Sequence, residues 1–159
     1  MINEHEHFMR AALREAERAA EMGEVPVGCV IVHDGRIIGK GYNQRESLQD
    51  PTAHAEVIAI TAAAAYLGSW RLEDTRLYVT LEPCPMCAGA IILARVAEVY
   101  FGATDPKAGV CGTLMNLLED ERFNHQPALY PGLLEAECGA MLTGFFQAIR
   151  AKNRQDRLN

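Results

Sequence analysis

No apolar run in the 159-residue sequence approaches the ~20 residues that a membrane-spanning helix needs. The first seven residues, Met-Ile-Asn-Glu-His-Glu-His, lack the positive start and apolar core of a secretory leader. Both absences point to a cytoplasmic protein. There is no internal repeat, no low-complexity segment and no linker-like stretch, so the chain reads as one domain over residues 1–159. An even set of cysteines is also missing. The five present, Cys29, Cys84, Cys87, Cys111 and Cys138, argue against a disulfide framework and leave metal binding, catalysis or core packing. Apolar residues make up 49% and charged residues 23%, a balance that excludes disordered and fibrous classes. A chain of this length can bury roughly 70% of its unfolded surface and needs no covalent staples.

Positive charge is in short supply. Fifteen Lys and Arg stand against 21 Asp and Glu, for a net charge of −6, which taken alone speaks against nucleic acid. The distribution changes that reading. Residues 150–159 carry Arg150, Lys152, Arg154 and Arg157 against Asp156, a local charge of +3, while the preceding residues carry −9. The acidic total hides a basic C-terminal helix end.

The periodicity and punctuation predict a regular order of elements. Asn3 with Glu6 reads as a capping box, opening a helix that runs to about Met22 and stops at Gly23. Residues 27–33 and 36–42 read as a hairpin, because Asp34-Gly35 suits a two-residue type I′ turn. A polar loop over 43–52 contains Asp50-Pro51-Thr52 and feeds a second helix from about Ala53 to Leu67, with Gly68 as its stop. A strand is expected over 76–81 and a third helix over 85–94 with Pro85 in its first turn. Then follow a strand over 98–103, a Gly-rich loop over 104–113, a short helix over 114–119 and a weak strand near 127–131. A last helix spans about 132–153. Strand–helix–strand over 76–102 implies a parallel pair, and the whole pattern reads as a three-layer α/β fold.

Two groups of chemistry-bearing residues fall at helix starts. His54-Ala55-Glu56 opens the second helix, and Pro83-Cys84-Pro85-Met86-Cys87 opens the third, 29 residues further on. Both can sit on one edge of the sheet. Cys84 and Cys87 are three apart, so on a first helical turn their sulfurs share a face and can reach one ion. A helix N-terminus and a divalent metal both favour thiolate. One imidazole and two thiolates suit zinc, and three protein ligands leave a fourth position for water, as in catalytic rather than structural sites. Glu56 is two residues from His54, so on a regular helix the two side chains diverge. It is read as a general acid/base beside the metal rather than as a ligand. Taken singly, each feature has an ordinary structural use: a Cys-x-x-Cys pair, a capping His, a Glu partnering a helix dipole. It is their combination at this distance that is a strong signal of a catalytic metal site.

The chain resembles the cytidine-deaminase-like zinc hydrolases and, more narrowly, the bacterial tRNA-specific adenosine deaminases, over about residues 4–153. The resemblance rests on Glu24–Gly28, Asp50–Glu56, Leu77–Ala90, Phe101–Lys107, Asn124-His125 and Phe145-Phe146. It implies a three-layer α/β/α fold around a central mixed five-stranded sheet. It further implies one Zn2+ per subunit on His54, Cys84 and Cys87, with Glu56 shuttling protons while zinc-bound hydroxide attacks carbon 6 of a flipped-out adenine. The product would be inosine at the wobble position of a tRNA anticodon. By the same resemblance Asn43 hydrogen-bonds the purine. Asp105 and Lys107 touch the substrate strand, and Phe145, Phe146 and Arg150 on the last helix close over the anticodon loop. A homodimer is implied too, with the partner chain completing the RNA site. Cys29 and Cys111 stand where small residues such as Ala are common in the family, without touching the metal set.

The same residues also admit other readings. Phe145 and Phe146 point about 100° apart on a helix, so one suits the core and the other a base or a dimer seam. Cys29 and Cys138 read as core residues, and His33 and His125 are assigned to no metal. The zinc chemistry also suits a small-molecule guanine, cytosine or nucleoside deaminase, but the basic terminal helix and the Asp105–Lys107 stretch favour RNA. A non-catalytic RNA-binding subunit with structural zinc is disfavoured by Glu56 and by a three-ligand set.

Overall fold

The chain folds as its hydrophobic periods dictate, and a computed structural model describes residues 3–159. Helix α1 (Glu4–Glu21) begins at Asn3, whose side chain accepts from the His5 amide, so the cap closes on His5 rather than reciprocally with Glu6. Strands β1 (Gly28–His33) and β2 (Arg36–Tyr42) form the expected antiparallel hairpin. Asp34 and Gly35 both have positive φ, 50° and 73°, the requirement of a type I′ turn. A bulge at Ile31/Val32 adds one residue to β2.

Three further strands complete the sheet: β3 (Arg76–Leu81), β4 (Glu98–Ala103) and β5 (Ala128–Tyr130). The order is β2-β1-β3-β4-β5, with β1 antiparallel to both neighbours and the β3–β4 and β4–β5 pairs parallel. The sheet is therefore mixed and five-stranded. Alternation divides its side chains between two layers. Cys29, Ile31, Leu77, Val79, Val99 and Phe101 pack against α3 (Ala55–Leu67) and α4 (Pro85–Ala94). Val30, Val32, Tyr78 and Tyr100 face α1 and α5 (Glu135–Leu158). α1 lies so close to β1 that a Cβ on Gly28 would stand 2.0 Å from the Ala12 carbonyl oxygen. Among the described residues no helix is long and apolar enough to cross a membrane.

Several boundaries differ from expectation. The loop over 43–52 contains one helical turn, α2 (Arg45–Leu48), whose own N-cap Gln44 makes no side-chain cap bond. α3 starts at Ala55, because Asp50 holds the preceding residues in a turn, its carboxylate accepting from Thr52 and its backbone carbonyl from the Ala53 amide, and His54 is the N-cap. The expected helix over 114–119 shrinks to a 3-10 turn at Leu117–Glu119. α5 starts later than position 132 because Leu134 adopts a left-handed conformation, φ 51°, directly before it. It then continues past 153 to Leu158, where Arg157 complements the carbonyl end of the helix dipole.

β2 and β3 both run antiparallel to β1, so β2, β3 and β4 end on the same edge as β1 begins. The segments 24–27, 43–54, 82–84 and 104–113 thus meet at the carboxyl ends of the parallel strands, where α/β sheets hold ligands.

Candidate active site

Two helix starts meet at that edge. His54 caps α3 and Cys84 caps α4, yet neither side chain caps its own helix. Pro83 and Pro85 flank Cys84, and the latter occupies the first helical turn, where no N–H is required. His54 Nδ1 lies 3.5 Å from the sulfurs of both Cys84 and Cys87. All three donor atoms lie within 4.8 Å of one another.

The donors fit zinc. Zn–S of about 2.3 Å and Zn–N of about 2.05 Å in a tetrahedron require an S···N edge of about 3.6 Å. Both observed edges match it. The two thiols act on each other: the neighbouring Cys87 holds Cys84 well below the ordinary thiol range, and the neighbouring Cys84, with burial, raises Cys87. Such a pair is ready to bind a cation that displaces the proton.

Glu56, in the first turn of α3, is buried at 4% exposure and does not join the three converging donors. Burial, with the nearby Cys84 charge adding to it, pushes its carboxyl up to about 7. A cavity of about 210 Å3 opens over these groups. It is lined by His54, Glu56 and Cys84 on its floor, by Asn43 and Arg45 from the β2 side, and by Asp105 and Ala108 from the β4 side. That volume is below the ~300 Å3 at which drug-sized pockets begin, so it suits one small ring system.

The remaining expected site residues divide in two. Asn43 is buried and lines the cavity. Its Nδ2 donates to the Val25 carbonyl at 3.2 Å and its Oδ1 accepts from the Arg45 amide at 3.2 Å. One N–H and one lone pair stay free for a ligand. Asp105 also lines the cavity, with Oδ1 accepting from the Lys107 and Ala108 amides. Lys107 is exposed and does not line it. Phe145, Phe146 and Arg150 lie on α5, away from the cavity of their own chain. Phe145 is half-buried, and Phe146 is 42% exposed and meets it edge-on. Arg150 lies with Asn153, Arg154 and Arg157 on one exposed face of the α5 end.

The other cysteines are buried. Burial pushes Cys111 and Cys138 up to about 12, which makes them packing groups rather than nucleophiles. Sequence reasoning passed over Arg45 and two buried carboxylates, Glu24 and Glu82, that brace the loops around the cavity. Arg45 is visible in sequence only as a loop cation. The carboxylates accept from backbone amides more than 20 residues away, a pattern with no local signature.

Comparison with known proteins agrees with this geometry. The cytidine and deoxycytidylate deaminase zinc-binding region matches residues 2–103. The tRNA-specific adenosine deaminase of Bacillus subtilis (strain 168) is 54% identical over 99% of this chain and 98% of its own length. A solved structure from biochemical and structural studies of A-to-I editing by tRNA:A34 deaminases superposes with a TM-score of 0.82. It has 46% identity over 86% of this chain and 99% of its own. A guanine deaminase from Nitrosomonas europaea shares the fold, with TM-score 0.75 and 22% identity over 88% of this chain and 83% of its own.

Proposed function

The chain belongs to the cytidine and deoxycytidylate deaminase zinc-binding family, and from that premise we propose that it converts adenosine to inosine at the wobble position of a tRNA anticodon. The observation that carries the chemistry is the set of three zinc donors at tetrahedral spacing, with a buried Glu56 beside them under a ring-sized cavity. The substrate is supported by relatives that match the chain almost end to end and are named for tRNA adenosine deamination.

His54, Cys84 and Cys87 would hold the metal. When bound, zinc supplies the Lewis acid that makes water nucleophilic near neutral pH. Glu56 would take one proton from the water and deliver it to a ring nitrogen, then take the second from the hydroxyl now on carbon 6 and pass it to the amino group, which leaves as ammonia as the carbonyl forms. Asn43 turns its free N–H and lone pair to the base edge, which fixes the ring over the floor of the cavity. Backbone N–H groups at the start of α4 steady charge that develops on oxygen.

A flipped-out nucleotide reaches a cavity this narrow only if the surrounding strand is held outside it. Asp105, Lys107 and the basic face of α5 are read as that holding surface, with Phe146 as a stacking platform and Phe145 supporting it. Arg150, Arg154 and Arg157 recur at helical spacing on one exposed face of α5. If they neutralise phosphates, affinity for a stem-loop should fall about tenfold or more between about 50 and 200 mM salt. Arg154→Ala should lower the slope by about one contact. A flat salt response measured by fluorescence anisotropy contradicts this assignment.

We also read the molecule as a homodimer. Every residue of α4 is apolar, and its outward stripe ends in Leu93, 69% exposed. A helix apolar on all sides is one that expects cover. The five free cysteines fit a reducing, cytoplasmic setting.

The decisive experiment incubates zinc-loaded protein with an anticodon stem-loop carrying a wobble adenosine. Inosine should form at that position alone, and a stem-loop with the adenosine displaced should stay unconverted. No conversion by protein shown to hold zinc rejects the tRNA reading.

A further inference from the structure

Two buried carboxylates that take no part in the deamination chemistry stand at the cavity, Glu82 in its lining and Glu24 next to the lining residue Val25. Glu24 is 1% exposed and Glu82 is 2% exposed. Each accepts hydrogen bonds from one loop of the site. Glu24 accepts from the Glu46 amide at 3.1 Å, the Ser47 amide at 2.8 Å and the Ser47 hydroxyl at 2.5 Å. These donors belong to α2, the helical turn that follows Asn43 and carries Arg45. Its own cap residue leaves it uncapped, so Glu24 supplies the missing acceptor from 22 residues away.

Glu82 does the same for the opposite wall. It accepts from the amides of Asp105, Cys111 and Thr113 at 3.1, 2.9 and 3.1 Å, and from the Thr113 hydroxyl. An ionised carboxylate has about four acceptor sites, and all are used. The loop wraps the carboxylate so closely that a Cβ on Gly109 would stand 2.4 Å from Glu82 Cδ. In the sheet, β1 and β3 lie between β2 and β4, so the two braced loops approach the cavity from opposite sides.

We propose that Glu24 and Glu82 are paired positioning residues that set the width of the substrate slot, Glu24 through Asn43 and Arg45, Glu82 through Asp105 and Ala108. The inference rests on the deaminase reading for what the slot holds. The chemistry demands carboxylates: every partner is a donor, ionised acceptors bind donors more strongly than neutral ones, and a glutamine would turn an NH2 toward N–H groups. A slot relaxed by about 1 Å still admits the base but no longer holds it in attack geometry.

The test uses the full zinc-loaded chain and its Glu24→Gln and Glu82→Gln variants. Both should keep one zinc per chain. With the anticodon stem-loop, kcat/KM should fall about 100-fold, mostly in kcat, the size expected when a reacting group is displaced by about 1 Å. Hydrogen exchange should lose protection over 104–113 in Glu82→Gln and over 43–48 in Glu24→Gln, each without the other. Folded, zinc-loaded variants with kcat within about threefold of the parent overturn the proposal, since that pattern belongs to residues that only stabilise. If a Gln variant fails to fold, Thr113→Val and Ser47→Ala remove one hydroxyl donor each. They should cost about 2- to 10-fold in kcat, and unchanged kcat in both also overturns it. A parent chain that converts no adenosine defeats the deaminase reading instead. The exchange pattern still decides the bracing, because protection equal to the parent in both variants refutes it.

Discussion

Replacing Glu56 by alanine should leave the zinc content at one per chain and lower kcat by about 10²–10⁴-fold or more, the range in which a positioned acid/base acts. That corresponds to about 2.7–5.5 kcal/mol of transition-state stabilisation. The expectation follows from where the side chain stands. It is buried in the first turn of α3, two residues from His54, and it lines the cavity while staying outside the trio of converging donors. In the proposed reaction a residue so placed serves the water and the ring rather than the metal. Glu56→Gln makes the experiment sharper. The amide keeps the volume and the hydrogen-bonding reach but cannot accept and return a proton. If Glu56 carries protons, the amide should lose nearly as much rate as alanine. Burying an amide instead of a carboxylate also relieves desolvation, so Glu56→Gln should melt no lower than the parent. A more stable, zinc-loaded and inactive variant is the signature of a group retained for chemistry. Turnover within about tenfold of the parent in Glu56→Gln would assign Glu56 to packing.

The residues that could be read from sequence are those whose constraint is local. Asp34-Gly35 announces the hairpin because two consecutive positive φ values suit few other pairs. Gly68 and Pro85 mark helix ends for equally local reasons. The convergence of His54, Cys84 and Cys87 was legible because metal chemistry restricts both residue type and spacing: two cysteines three apart share one helical face, and the histidine opens a second helix. What could not be read depends on distant partners. α2 is one turn with an uncapped start, and it exists because Glu24 reaches it across 22 residues. The beginning of α5 is set by a left-handed Leu134, a conformation no leucine advertises. The basic end of α5 was visible as composition. Its separation from the cavity of the same chain was not, because that depends on how α5 packs across β3 and β4.

Removing a zinc donor should abolish activity and loosen the fold together, and Cys87→Ala is the clearest case. Cys87 is fully buried on α4, and its sulfur is one corner of the 3.5 Å edge to His54 Nδ1. Without it two donors remain, too few for tight binding in a site that already reserves one position for water. Turnover should drop to background and purified protein should hold well under one zinc per chain. The stability effect is mass action: zinc bound at about 1,000 times its Kd stabilises the folded state by about 4 kcal/mol. For a domain of this size that is a Tm difference of about 8–16 °C. Chelation of the parent should therefore lower its Tm by that much, while the already metal-poor Cys87→Ala variant should not respond to chelator. The comparison separates the metal from the packing defect, since the small cavity left by the missing sulfur lowers Tm equally with and without chelator. Cobalt in place of zinc gives an independent reading, because thiolate-to-cobalt charge transfer should weaken when one of two sulfurs is lost. A Cys87→Ala protein that keeps a full complement of zinc and melts like the parent would move the metal away from the two helix starts. Glu56 would then be left with no water to activate.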